Sequence, residues 1–479
     1  MDEKKFRSLF QKCGDVIIQN VSFSGYQILF AFCQGMVKKE MLDSVIFIKL
    51  KNFIEDYKDI SKEVIQEYFP VTGLEWVDNK DKIMSAIFSG KAVVVIEEIN
   101  SVFSIDIANI PNRKPEETKT EVTIQGPRDN FIEDLTINIG LIRKRLRTTS
   151  LCVESLEIGK RSKTKVAVLY IQDIADQSIL KQLMKKLQSV DIDSIYSGNQ
   201  LKELIDDRPF AIFPQSLYTG RPDFVVQSLL SGRFSVLIDG VAYSILTPAN
   251  LFFTLKTGED SETSYLYNSF ERTMRIVGLV FSTLLPGFWV AITSFHQNQI
   301  PFTLLATLVE SRKGVPLPSA LEAILMLLLF ELFREAGLRM PLPIGQTLSV
   351  VGGLIIGDAA IRAGLTSALM LVVIGASTVA TFTLANQALI GTVSLLRFGV
   401  LLFSGLFGFP GFFIALFFIL LYLARIRTFG VPYLEIATRI SFRNIVHEIF
   451  RLPAKVNTIR PHAFTPKSND NTRTGRKKK

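Results

Sequence analysis

"DKIMSAIFSGKAVVVIEEI" at residues 81–99 returns, altered but in step, as "DFVVQSLLSGRFSVLIDGV" at residues 223–241. At a constant offset of 142 residues (81 to 223), Asp81 aligns with Asp223, Ser89-Gly90 with Ser231-Gly232, and Lys91 with Arg233. Ile96-Glu97 then aligns with Ile238-Asp239. Each copy reads as a short helix ended by glycine, a buried strand, and a turn at the acidic position. The return strands are "SVFSIDI" (101–107) and "AYSILTP" (242–248). The spacing predicts two similar α/β subdomains, residues 1–112 and 150–250.

Between them, residues 113–149 form a linker with its own character. It begins charged and Pro-containing, then becomes helical in "QGPRDNFIEDLTINIGLIRKRLR" (125–147). Leu135, Ile139 and Ile142 fall on one face, and Arg143, Lys144, Arg145 and Arg147 crowd the end, where cations suit the helix macrodipole. This reads either as a solvated linker helix or as a surface for a second subunit or a membrane. Arg128, Asn138, Arg143 and Arg145 are the candidate assembly residues of this soluble half.

Hydropathy divides the 479 residues sharply. Residues 1–247 carry charges every few positions. Residues 274–424 contain apolar windows at 276–295 ("IVGLVFSTLLPGFWVAITSF"), 365–385, 389–405 and 408–424 ("GFPGFFIALFFILLYLA"). Stretches of roughly 18 apolar residues are long enough to cross a bilayer. Residues 251–273 form the approach to the membrane. After Ala424, 13 Lys/Arg stand against three acids, an excess larger than the net charge of +9 for the whole chain. The positive-inside rule places this tail (425–479) in the cytoplasm, and the charged N-terminus lacks a signal-type apolar core. An even number of crossings follows. The expected fold is an α/β soluble N-terminal region of two similar subdomains, followed by an all-α polytopic membrane domain with four to six transmembrane helices.

Several functions are disfavoured. The basic excess is confined to the tail, so anionic lipid rather than nucleic acid is the expected contact. Cys13, Cys33 and Cys152 form no CxxC and read as free thiols. "GKRSKTK" (159–165) lacks the spacing of a phosphate-binding loop, and "VHEIF" (446–450) lacks the second His of a zinc helix. His296, His447 and His462 are too scattered for a metal centre. No enzyme, cofactor or metal is expected.

The apolar half nevertheless contains charge. In "ELFREAGLRMP" (331–341), Glu331, Arg334, Glu335 and Arg339 share about 140° of arc at about 100° per residue. Glu322 lies just upstream, Asp358 and Arg362 interrupt "VGGLIIGDAAIRAGL" (351–365), and Arg397 sits in "SLLRFGVLL" (394–402). One such charge facing lipid costs about 2.5–3.5 kcal/mol on insertion scales. These eight residues are the candidates for an ion pathway or a subunit interface; a helix end emerging among headgroups is the bland alternative.

At these residues a resemblance becomes plain. "FPQSLYTGRPD" (213–223), "LPGFWVAITSFHQNQIP" (285–301), "VPLPSALEAILM" (315–326) and "GVPYLEI" (430–436), with the motifs above and in this order, resemble the A subunit of bacterial spore germinant receptors, the GerA family. The motifs run from about residue 110 to 435; residues 1–80 and the tail carry few. Gly220 stands where the family usually has Glu. The resemblance implies a receptor in the spore inner membrane, with both termini on the core side. A transporter-like B subunit holds the nutrient, a lipoprotein C subunit lies outside, and the A subunit forms a homo-oligomeric ring that conducts monovalent cations. A non-conducting scaffold that only transmits the signal is the alternative, as is a paralogous class of accessory channel encoded with dipicolinate-release proteins.

Overall fold

The computed structural model describes residues 3–57, 60–71, 73–77, 79–96, 98–99, 101–109, 126–127, 129–208, 210–339, 357–434 and 450. In its N-terminal half are two five-stranded antiparallel sheets with one topology. The first contains β1 (Val16–Phe23), β2 (Tyr26–Cys33), β3 (Glu75–Trp76), β4 (Lys91–Ile96) and β5 (Ser101–Asp106), in the order β1-β2-β4-β5-β3. The second contains β6 (Leu151–Ile158), β7 (Thr164–Ile171), β8 (Leu217–Thr219), β9 (Phe234–Ile238) and β10 (Ser244–Thr247), in the order β6-β7-β9-β10-β8.

The repeated segment supplies the corresponding parts of both. Helix α1 (Lys80–Ile87) leads through Gly90 into β4, and β5 returns beside it; helix α3 (Pro222–Leu230) leads through Gly232 into β9, and β10 returns. Gly90 and Gly232 have φ of 88° and 92°, the left-handed region that a side chain disfavours, so the pair marks where each helix must stop. β4 is buried from Ala92 on and β9 throughout, because each sheet is covered on both faces.

Helix α2 (Leu135–Arg145) lies between the sheets. Its Thr136 carbonyl would meet a Cβ on Gly35 at 2.5 Å, so the close approach requires glycine there. Residues Lys12 to Gly14 pair with Val153 of β6 through two backbone hydrogen bonds, of 3.1 and 3.2 Å, and so extend the second sheet at its edge.

The C-terminal half is helical: α4 (Tyr265–Phe295), a short helix at Phe302–Ser311, α5 (Ser319–Arg339), α6 (Ala368–Thr381) and α7 (Gln387–Arg425). Two of these, α4 and α7, are long and apolar enough to cross a membrane. α7 is two arms. Gly408 has φ 63° and ψ −139°, outside the helical region, and the chain reverses there. Leu389 and Val393 of the first arm therefore share a cluster with Leu423 of the second. The windows 389–405 and 408–424 are these two arms.

Contacts fix the direction of each rod. α4 begins near the sheet-rich half and ends at the α7 turn, where a Cβ on Gly408 would lie 2.9 Å from Phe295. α5 begins at that far end, with Ala320 against Gly405, and runs back. α6 also runs back, from Ser367 beside Glu322 to Thr383 against Gly278.

Candidate functional site

Three helices place polar side chains at one level inside the apolar bundle. α5 contributes Glu331 and Arg334, the first arm of α7 contributes Ser394 and Arg397, and α6 contributes Ser377. Ser394 and Arg397 are three residues apart and share a helix face, as do Glu331 and Arg334.

Glu331 is the hub. Its Oε1 accepts from Arg397 Nη2 at 2.9 Å and from Ser394 Oγ at 2.6 Å, while Oε2 faces Arg334 Nη2 at 2.6 Å. Arg397 also donates through Nη1 to Ser377 Oγ at 3.1 Å and through Nη2 to Ser394 Oγ at 3.3 Å. Arg334 Nη1 donates to Ser394 Oγ at 3.1 Å. Ser377 Oγ in turn donates to the Ser282 carbonyl of α4 at 3.1 Å, so four rods meet here.

The Arg397 side chain is 2% exposed, against 19% for Glu331 and 26% for Arg334. Arg397 Nε has no hydrogen-bond partner among the described residues. One acid faces two guanidinium groups, so this trio carries a positive excess. Phe330, Thr378, Thr381 and Phe382 complete a cleft beside it, on the scale of a single water. That is too small for a nutrient molecule. Within one chain the arrangement is a clasp between helices rather than an open passage.

The eight candidate charges therefore occupy different places. Glu331, Arg334 and Arg397 form the clasp. Glu335 lies on the exposed side of α5, and the Arg339 side chain falls outside the described residues. Asp358 and Arg362 pair with each other at 2.8 Å on the surface. Glu322 sits at the far end, fully buried, where its Oε1 accepts from the Ser367 amide at 2.6 Å, Ser367 Oγ at 2.7 Å and Thr366 Oγ1 at 3.1 Å. Ser367 caps α6, so Glu322 pins the start of that helix to α5 and meets the positive end of its dipole.

In the sheet-rich half, Arg143 is fully buried and holds Asp15 in a two-pronged pair, Nε to Oδ2 at 2.8 Å and Nη2 to Oδ1 at 2.6 Å. It also donates to the carbonyls of Thr148 and Leu151 and stacks over Phe88 at 4.3 Å. This joins α2 to the first sheet unit inside one chain. Asn138 exchanges hydrogen bonds with the Ile132 backbone, and Arg145 pairs with Asp129 at 2.6 Å. Arg128 falls outside the described residues. The sequence reading did not single out Asp15, nor Asp260, which is 2% exposed and bridges Arg272 at 2.9 Å and Arg275 at 2.8 Å on the first turns of α4. The usable signal for the second was an acid shortly before a helix whose first turns hold two arginines.

Comparison with known proteins places this architecture. The family described as Bacillus/Clostridium GerA spore germination protein matches residues 4–463. The likeness thus begins well before residue 110 and extends into the tail, further than the quoted motifs reach. Spore germination protein XA of Bacillus anthracis is 41% identical over 99% of this chain and 98% of its own length. Spore germination protein B1 of Bacillus subtilis (strain 168) is 32% identical over 91% of each. The crystal structure of the N-terminal domain of the A subunit of the Bacillus megaterium spore germinant receptor GerK3 aligns at TM-score 0.40 and 23% identity, over 51% of this chain and 92% of that one. On the family match and the 41% and 32% identities, the chain belongs to the GerA family of spore germination proteins.

Proposed function

We propose that this protein is the ion-conducting membrane subunit of a nutrient-sensing germinant receptor, working as a ring of identical chains opened by a ligand-holding partner subunit. The observation that carries the reading is Arg397, 2% exposed and paired with Glu331 inside an apolar helical bundle. Arg397 lies eight residues beyond the start of the 389–405 window, about 12 Å into a hydrocarbon layer of about 30 Å. A charge at that depth is expensive, and polar groups there serve pathways or mobile contacts.

On this reading the rods run α4 outward, α5 back, α6 back, and the α7 arms outward and back; these are five crossings among the described residues, so both ends on the core side would take one more between α5 and α6, where residues 340–356 lie outside the described ones. Glu335, Asp358 and Arg362, exposed in one chain, are the charges available to a neighbouring subunit, and opening would exchange clasp contacts for contacts between chains. Monovalent cations are the transported species, and the transporter-like and lipoprotein subunits are the partners.

One observation favours the scaffold reading instead: the cleft at the clasp is water-sized and carries a positive excess, which opposes cation passage through a single chain. Planar-bilayer recording of the chain with its partner subunits decides. Cation current that Glu331→Gln alters supports the channel; silence in the presence of partners and nutrient supports the scaffold.

A further inference from the structure

The loop before β8 is held between the ends of the α7 hairpin. The Ile212 amide donates to Tyr422 Oη at 2.9 Å on the second arm, and its carbonyl accepts from Thr392 Oγ1 at 2.6 Å on the first. Phe213, 3% exposed, packs in one cluster with Leu389, Val393 and Leu423, against Ile276, Leu279 and Ile419. These residues stand at the soluble-side ends of the windows starting at 276 and 389 and ending at 424. Three apolar windows thus end at one level, and Ile212-Phe213 marks it.

Phe210 lies two residues from Ile212, no more than about 7 Å of chain away. It is 98% exposed. Its backbone is fixed on both sides. The Ala211 amide donates to the Arg208 carbonyl at 3.1 Å, and Gln215 Nε2 donates to the same carbonyl at 2.8 Å. Upstream, Asp207 accepts from the Phe429 amide at 2.5 Å and pairs with Lys186 at 2.6 Å. Hydrogen bonds on either side of Phe210 therefore hold an exposed aromatic ring two residues from an exposed arginine, Arg208. Aromatic rings are enriched at the boundary between headgroups and acyl chains, and arginine suits the phosphates there.

We propose that Arg208 and Phe210 form a bilayer-interface anchor, with Phe210 seated at the headgroup boundary and Arg208 on lipid phosphate. This rests on the reading that the apolar windows cross a membrane.

The test is depth-dependent fluorescence quenching in full-length protein, in vesicles of phosphatidylglycerol and phosphatidylcholine, the latter brominated either near the glycerol or near the chain end. Phe210→Trp is placed in a Trp76→Phe, Trp289→Phe background, and native Trp289 is read alone in a Trp76→Phe protein. Trp at 210 is expected to lose more emission to bromine near the glycerol than to bromine near the chain end, and Trp289 to be quenched as well. Quenching at 289 with none at 210 overturns the anchor and leaves the membrane reading intact. Unquenched, blue-shifted emission at 210 that iodide also fails to reach overturns it in favour of a contact with a second copy. No quenching at either position removes the membrane reading and the anchor with it.

Discussion

Arg397 Nη2 lies 2.9 Å from Glu331 Oε1, a contact that joins two rods across 66 residues of sequence. Because Glu331 is shared with Arg334, the two ends of this contact are unequal. Glu331→Gln leaves two guanidinium groups without their carboxylate, one of them buried, at a cost of roughly 3–5 kcal/mol. Arg397→Met leaves Glu331 paired to Arg334 and should cost clearly less. Glu335→Gln, on the exposed side, should cost less than Glu331→Gln in the isolated chain. Thermal unfolding of the purified chain in detergent ranks the three, and equal losses would remove the clasp.

The Asp15–Arg143 pair predicts both stability and thiol chemistry. Burial lifts the Cys13 thiol to about 11 and pushes Cys33 higher still, with the Asp15 carboxylate adding to both and Arg143 opposing. All three cysteines are buried and free. The native chain should therefore leave aromatic disulfide reagents unreacted at mildly alkaline pH, since the thiolate is the reacting species. Asp15→Asn strands Arg143, costs roughly 3–5 kcal/mol, and should bring Cys13 and Cys33 into reaction within the same assay.

Asp206 and Asp260 predict opposite pH signatures. Burial raises the Asp206 carboxyl to about 6, against the pull of Lys202. The folded state then holds this proton more tightly than the unfolded state, whose value is about 4. Stability from this group is greatest below pH about 4 and is lost as pH rises through about 6, by up to roughly 3 kcal/mol. Asp206→Asn should flatten that slope in urea unfolding of the full chain.

Burial alone would raise Asp260, but Arg275 and then Arg272 outweigh it and hold the carboxyl low. The folded state binds its proton more weakly, so this contribution is present above about pH 4 and is lost on acidification. Asp260→Asn should destabilise the chain at neutral pH, by roughly 3 kcal/mol, and converge with the unsubstituted protein in acid. A constant difference across pH would contradict the pairing.

Gly408 carries the reversal of α7. Its φ of 63° with ψ −139° suits glycine alone, and a Cβ would also meet Phe295 at 2.9 Å and the His296 ring at 3.0 Å. Gly408→Ala should prevent the two arms from closing and lower the level of protein recovered in membranes, whereas Gly399→Ala, with nothing within 4 Å, should be tolerated. Immunoblotting of membrane fractions checks both.

The repeated sheet unit was legible in sequence because helix, glycine and strand are local choices: Gly90 and Gly232 punctuate, and β4 and β9 announce burial by composition. The apolar windows were legible for the same reason, and so were the two arms of α7, each a continuous run on its own side of Gly408. Periodicity says which residues share a face; it does not say what that face meets. In the "RKRLR" end of α2, Arg143 and its basic neighbours look alike, yet Arg143 alone turns inward to Asp15, 128 residues earlier. In the apolar half, the spacing of Glu331, Arg334, Glu335 and Arg339 put four charges on one arc of a helix. Packing keeps Glu331 with Arg334, adds Arg397 to the pair, and leaves Glu335 on the exposed side. Nothing local distinguishes those two glutamates; the turn at Gly408 and the return of α5 bring Arg397 to one of them, and a buried guanidinium takes the carboxylate that is within reach.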